Sequence, residues 1–153
     1  MLIPMLIGIV VMVVNLGILV LAVAVLIRLL TNRIGDGSKE PTLFEDVNVL
    51  SLVMAVLMVG HMLQFATWAL LFTWLGEFTD FATAFYHSTV NFTSLGYGDI
   101  VMSEKWRLLG ALEAGNGVLM FGLSASTILS IMNALFARRK AFAGLKQSME
   151  KGG

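Results

Sequence analysis

The stretch Thr93-Ser94-Leu95-Gly96-Tyr97-Gly98-Asp99 decides the reading of this chain. Two hydroxyl residues lead into two glycines set around a tyrosine, and an acid closes the run. The motif ends an uncharged segment, Phe81 to Gly98, which His87, Ser88, Thr89, Asn91, Thr93 and Ser94 make too polar and too broken to face lipid. Non-helical backbone at membrane depth is tolerated only where protein buries it or where it lines an aqueous cavity. A re-entrant loop meets that condition.

The surroundings of the motif are those of a membrane protein. Met1 to Ile27 and Val47 to Gly76 carry no charge, and Leu108 to Ala137 carries only Glu113. Each exceeds the roughly 20 residues that span the hydrocarbon core as a helix. The 153 residues are 58% hydrophobic and 13% charged, with mean hydropathy +0.86. A soluble domain of this size carries about twice that charge. With no cysteine, the chain has neither disulfides nor thiolate metal ligands, and a formal net charge of zero argues against nucleic-acid binding. The first apolar run lacks the basic flank of a secretion signal and is longer than its usual apolar region, so it is expected to be a retained span despite Ala22-Val23-Ala24.

Gly96-Tyr97-Gly98-Asp99, preceded by Thr93-Ser94 and set between two apolar spans, resembles the selectivity-filter signature T-x-G-Y-G-D of potassium channels. The resemblance covers about residues 43–138. It implies an all-α membrane protein with three transmembrane helices, a re-entrant pore helix and a filter loop. One pore loop per chain cannot close a ring of carbonyls, so it also implies a homotetramer around a central pore. In such a filter K+ trades its hydration shell for backbone carbonyls, here of Ser94, Leu95, Gly96 and Tyr97, and for the Ser94 hydroxyl. Carbonyls that all face one pore alternate the backbone through left-handed conformations, which suits Gly96 and Gly98. Tyr97 braces the filter from outside, and Asp99 puts a fixed negative charge at the outer mouth. Ser94 stands where the family usually has threonine and Leu95 where it has valine or isoleucine. The innermost site therefore lacks a rotamer-fixing methyl, which keeps a weakly selective cation channel as an alternative. A non-conducting membrane adapter or regulatory subunit is another, and a transporter subunit a third.

The expected order is an N-terminal span at 1–30, a cytoplasmic linker at 31–46 and a pore domain at 47–138. The pore domain divides into an outer helix 47–75, a pore helix 80–93 capped by Thr79 or Asp80, a filter 94–99 and an inner helix 105–138. A tail, 139–153, follows. Gly35, Gly37, Ser38 and Pro41 break the linker. Arg28, Arg33 and Lys39 lie in or beside that linker and Arg138, Arg139, Lys140, Lys146 and Lys151 after the last span, against only Lys105 and Arg107 near the loop. The positive-inside rule puts linker and tail in the cytoplasm, with the N-terminus and filter mouth outside. A bacterial plasma (inner) membrane is the expected location. Trp68, Trp74 and Trp106 then fall at the outer interface, as membrane anchors.

Within the inner helix, Gly117-Val118-Leu119-Met120-Phe121-Gly122-Leu123 resembles the gating-hinge region of minimal bacterial potassium channels. That resemblance makes Gly117 the hinge candidate, with helix packing as its other reading, and points Val118, Phe121 and Ala125 at the cavity. Glu113, the one acid well inside a span, is expected to hydrogen-bond Asn91, Thr89 or His87 and to support the filter from behind. His61 and His87 are either pH sensors or hydrogen-bonded buried groups. No metal-ligand spacing and no activated nucleophile occurs, so no enzyme, no cofactor and no small-molecule substrate are expected, only K+ as permeant ion. No segment carries Arg or Lys every third residue, as a voltage sensor would.

Overall fold

The computed structural model describes residues 2–34 and 41–151. Four helices account for most of them: α1 (Leu2–Ile34), α2 (Leu43–Trp74), α3 (Phe81–Phe92) and α4 (Arg107–Lys151). Among the described residues there is no strand. Three helices are long and apolar enough to cross a membrane, within Leu2–Thr31, Leu43–Trp74 and Arg107–Met149. The short α3 and the loop after it form the re-entrant unit between α2 and α4. The fold is therefore an all-α membrane fold. The linker breakers Gly35, Gly37 and Ser38 lie outside the described residues.

Local chemistry sets the helix ends. Thr42 takes the extended conformation and its hydroxyl accepts the Glu45 N–H, so α2 begins at Leu43 rather than at the expected 47. Glu45 and Asp46 then sit in the first turn, where the positive end of the dipole favours acids. Asp80 caps α3 in the same way, its carboxylate accepting the Thr83 N–H at 2.8 Å. That hydrogen bond holds the Asp80 carboxyl below its ordinary pKa. At the far end, α4 does not stop at 138. It runs through the basic cluster to Lys151, because Ala, Leu, Lys and Gln in the tail favour helix and no proline interrupts them.

The core joins all four helices. Leu19, Leu26 and Leu30 of α1 pack with Val53, Phe65, Trp68 and Phe72 of α2, Phe92 of α3, and Leu109 and Met120 of α4. The N-terminal helix lies against both α2 and α4 and makes no backbone approach to α3. Within one chain α3 is thus held by α2 and α4, and the backbone contacts of α1 are with those two. At the other end of α4, Arg139 donates from Nε to Asp46 Oδ2 at 2.6 Å, and Arg138 lies 3.7 Å from Glu45. These contacts tie the extended end of α4 to the start of α2.

Candidate functional site

The pore helix is seated by aromatic packing and one polar bracket. Ala84, His87, Ser88 and Phe92 are its buried positions, with 84, 88 and 92 four apart and His87 beside them on the same side. Phe92, at the last turn, meets Phe65 at 5.1 Å and Phe121 at 5.8 Å between ring centroids. His87 sits between Phe72 and Phe78 and has no hydrogen bond on Nδ1. Of the three expected partners of Glu113, it is Asn91 that makes the bond. Asn91 Nδ2 donates to Glu113 Oε2 at 2.6 Å and to the Gly110 carbonyl at 2.8 Å. Thr89 spends its hydroxyl on the Phe85 carbonyl, and His87 forms no hydrogen bond with Glu113. Ser88, three residues before Asn91, is buried and its hydroxyl has no hydrogen-bond partner. Glu113 is fully buried, so this bracket joins α3 to α4 where no water competes for it.

After Phe92 the chain leaves the helix. Thr93 closes it, its hydroxyl back-bonded to the carbonyls of Thr89 and Val90. Left-handed backbone then recurs at every second residue: Ser94 at φ 58°, Gly96 at 57° and Gly98 at 74°. Glycine takes this conformation freely, and serine pays roughly 1 kcal/mol or more for it. A β-branched threonine would be a sharper outlier there. Residues 93–99 are all exposed on the single chain, Leu95 at 55% and Tyr97 at 67%. At the end of the run, Asp99 accepts the Tyr86 hydroxyl at 2.8 Å, tying the last loop residue back to the pore helix. A pocket of about 300 Å³ lies between loop, pore helix and the start of α4, lined by His87, Asn91, Gly96, Gly98, Asp99 and Met102 among others. Glu77 accepts from the backbone and hydroxyl of Ser103, which pins the α2–α3 turn to the segment before α4.

The inner helix meets the base of this loop at Gly117. A Cβ built there would overlap the carbonyl oxygen of Phe92, so the helices touch backbone to backbone. Glycine is required at 117 for packing, whatever else it does. Gly115 and Gly122 have open space where a Cβ would go. Val118 and Ala125 are exposed on the single chain, while the Phe121 ring packs against His61 at 4.5 Å as well as Phe92.

Sequence reasoning missed a second polar cluster, at mid-span. His61 uses both ring nitrogens, on Gln64 Oε1 at 2.9 Å and Ser124 Oγ at 3.1 Å. Gln64 Nε2 donates to the Asn15 carbonyl at 2.9 Å, and Asn15 Nδ2 to Asn116 Oδ1 at 2.7 Å. Trp68 is fully buried and donates from Nε1 to the same Asn116 oxygen, so it is not the lipid-facing anchor expected. Trp106 is buried too, whereas Trp74 is 81% exposed. The signal for the cluster was present: Asn15 is the one hydrogen-bonding side chain in the run 1–27. Among the described residues no group of His, Asp and Glu could hold a metal ion.

The chain matches the family model described as "Ion channel" over residues 48–134, more than half its length. The matched region takes in most of α2, the pore helix, the loop and α4 as far as Ala134. TWiK family of potassium channels protein 18 of Caenorhabditis elegans is 33% identical over 98 residues, covering 62% of this chain and 20% of that one. The chain spans a fifth of the length of that relative. No solved structure matches it. A re-entrant helix and loop held between two spanning helices, and a family match over that same unit, carry one conclusion: the chain belongs to the ion channel family.

Proposed function

We propose that this protein is the subunit of a potassium-selective channel, passing K+ down its electrochemical gradient without chemistry. The observation that carries the proposal is the alternation at Ser94, Gly96 and Gly98 within Thr-Ser-Leu-Gly-Tyr-Gly-Asp. Left-handed residues at every second position are what turn successive carbonyls towards one side. Four such strips around an axis would replace the hydration shell of K+ with the carbonyls of Ser94, Leu95, Gly96 and Tyr97 and the Ser94 hydroxyl. The TWiK relative is a potassium channel protein by name, which supports the same ion.

The assembly is a homotetramer in this reading, since one loop lines a quarter of a pore. The C-terminal end of each pore helix faces the central cavity, and its dipole adds partial negative charge where a cation crosses. Asp99 draws cations to the outer mouth, and two neighbouring occupied sites let one ion push the next. Val118, Phe121 and Ala125 line the cavity below. The bracket of Asn91 and Glu113 supports the filter from behind, and Gly117 either flexes as a hinge or serves only its packing. The N-terminus and filter mouth face outward in a plasma membrane and the end of α4 lies in the cytoplasm, on the charge asymmetry of the sequence.

The test is the reversal potential of the purified protein in planar bilayers with potassium on one side and sodium on the other. A reversal near the potassium equilibrium potential, lost in Gly96→Ala, is expected. A reversal near zero with robust current would replace the proposal with a weakly selective cation channel, the alternative that Ser94 and Leu95 leave open.

A further inference from the structure

Asn15 sits in the middle of the most apolar helix of the chain and is fully buried. An amide there is costly unless partnered. Its Nδ2 donates to Asn116 Oδ1 of α4, its main-chain carbonyl accepts from Gln64 of α2, and Trp68 of α2 donates to the same Asn116 oxygen. One residue of α1 is therefore bonded to both helices that hold the pore helix. Asn116 is followed at once by Gly117, the residue whose missing Cβ leaves room for the Phe92 carbonyl. Thr93 and Ser94 come next along the chain from Phe92.

These two features fix the same degree of freedom. One residue of a helix subtends about 100°. Were α4 to turn by that amount, Asn116 would leave Asn15 and Trp68. Asn116 or Val118 would then stand where Gly117 stands, with a Cβ against the Phe92 carbonyl. The hydrogen bonds select the rotation that the glycine requires. Within one chain α1 makes no backbone approach to α3, so the path from Asn15 to the loop runs through α4 or α2.

We infer that α1 is a working part of the pore rather than a membrane anchor, and that Asn15 is a positioning residue. Asn15 sets the rotation of the inner helix at Asn116 and so seats Gly117 under the end of the pore helix, immediately below the filter. The inference rests on the reading of residues 94–98 as a filter. The role of Asn15 is to hold geometry; it does not touch the ion.

A double-mutant cycle on the full-length chain tests this. Asn15→Leu, Asn116→Leu and the double variant are compared in planar bilayers for mean open time and potassium-to-sodium permeability ratio. The melting temperature of the assembled protein is recorded alongside. Each single change should alter open time or permeability ratio by about threefold to thirtyfold. The double variant should fall well short of the product of the two. Asn15→Ser, which keeps a small polar group, should stay nearer the unmodified chain, and it replaces Asn15→Leu in the cycle if the leucine variant does not assemble. Val13→Ala, on an exposed position of α1, should leave both ion readouts unchanged. Ion readouts that stay at the unmodified values while melting falls would make Asn15 a structural brace and overturn the inference, as would effects that multiply independently. Equal passage of both ions by the unmodified chain would instead overturn the filter reading, and the open-time cycle would still decide the role of Asn15.

Discussion

The pore helix and the loop that follows it are neighbours in sequence and opposites in support. Residues 81–92 are embedded in their own chain: Asp80 caps the start, aromatic rings of α2 and α4 hold the end, and Asn91 is bracketed by Glu113 and Gly110. Residues 93–99 are exposed throughout, and bonds tie them back to the pore helix at each end, from Thr93, Ser94 and Leu95 at one and from Asp99 at the other. The difference teaches which part of the site one subunit can build alone. A single chain sets the angle and depth of the pore helix. The conformation of the loop is strained at Ser94 and otherwise glycine-dependent, and its exposed face is what the proposed tetramer and its ions would cover.

The sharpest way to break that contrast is at the junction of the two regions. Gly117→Ala puts a methyl where the Phe92 carbonyl stands, and Gly115→Ala puts one into open space. Overpacking of this kind costs about 1–3 kcal/mol. The expected result is a lower melting temperature and disturbed conduction for Gly117→Ala, with Gly115→Ala close to the unmodified chain. Equal effects from both would mean that helix flexibility, not the contact with Phe92, is what glycine supplies at 117.

The bracket comes next in size. Glu113→Leu removes the carboxylate from Asn91 and leaves its amide with the Gly110 carbonyl alone. Leaving a buried polar group underbonded costs about 1–3 kcal/mol. Melting of the assembly should fall and the permeability ratio should move with it, because the bracket fixes the helix that carries the loop. Glu113→Gln keeps an oxygen in place and should retain much of both. If Glu113→Leu changed neither, the aromatic contacts and the Asn91 bond to Gly110 would suffice to hold the pore helix.

What the sequence disclosed and what it hid follow from the range of each interaction. The spans, the re-entrant loop, the Asp80 cap and the partnership of Glu113 with Asn91 were legible, because composition, local capping and one intramembrane acid each leave a mark at a single position. The partners of Asn15 were not. One amide in an apolar helix signals that a partner exists, yet Asn116 lies 101 residues away and nothing local points to it. The packing duty of Gly117 was open for the same reason, since a close approach depends on what the other helix offers. The end of α4 was misplaced because charge marks where a membrane stops and not where a helix does.

A smaller effect tests the upper end of the pore helix. Asp80→Ala removes the acceptor of the Thr83 N–H. Because that bond lowers the carboxyl pKa, the ionised cap is present at neutral pH, and its contribution is lost as pH falls through the lowered value. Melting of the unmodified chain should therefore lose this contribution only in acid below the ordinary carboxylate range. Asp80→Ala should show a slightly lower melting temperature at neutral pH and a flatter profile in acid. An identical acid profile for both would assign the pH dependence to other carboxylates.

The smallest expected effect lies farthest from the loop. Arg139 bonds Asp46 at 2.6 Å, with the arginine side chain 37% exposed and the aspartate 12%. A pair so accessible on one side contributes about 0–1 kcal/mol and weakens with salt. Asp46 also keeps the favourable field of the α2 N-terminus when the arginine is gone, which shrinks the loss further. Arg139→Ala should therefore lower melting slightly at low salt, less at high salt, and leave the reversal potential where it was. The two ends of α4 would then be energetically separate, the filter end specified by buried packing and the far end by an exposed clasp. A shift in reversal potential on removing Arg139 would say the opposite. It would mean that α4 transmits strain along its whole length, and that the pose of the pore helix is set from both ends.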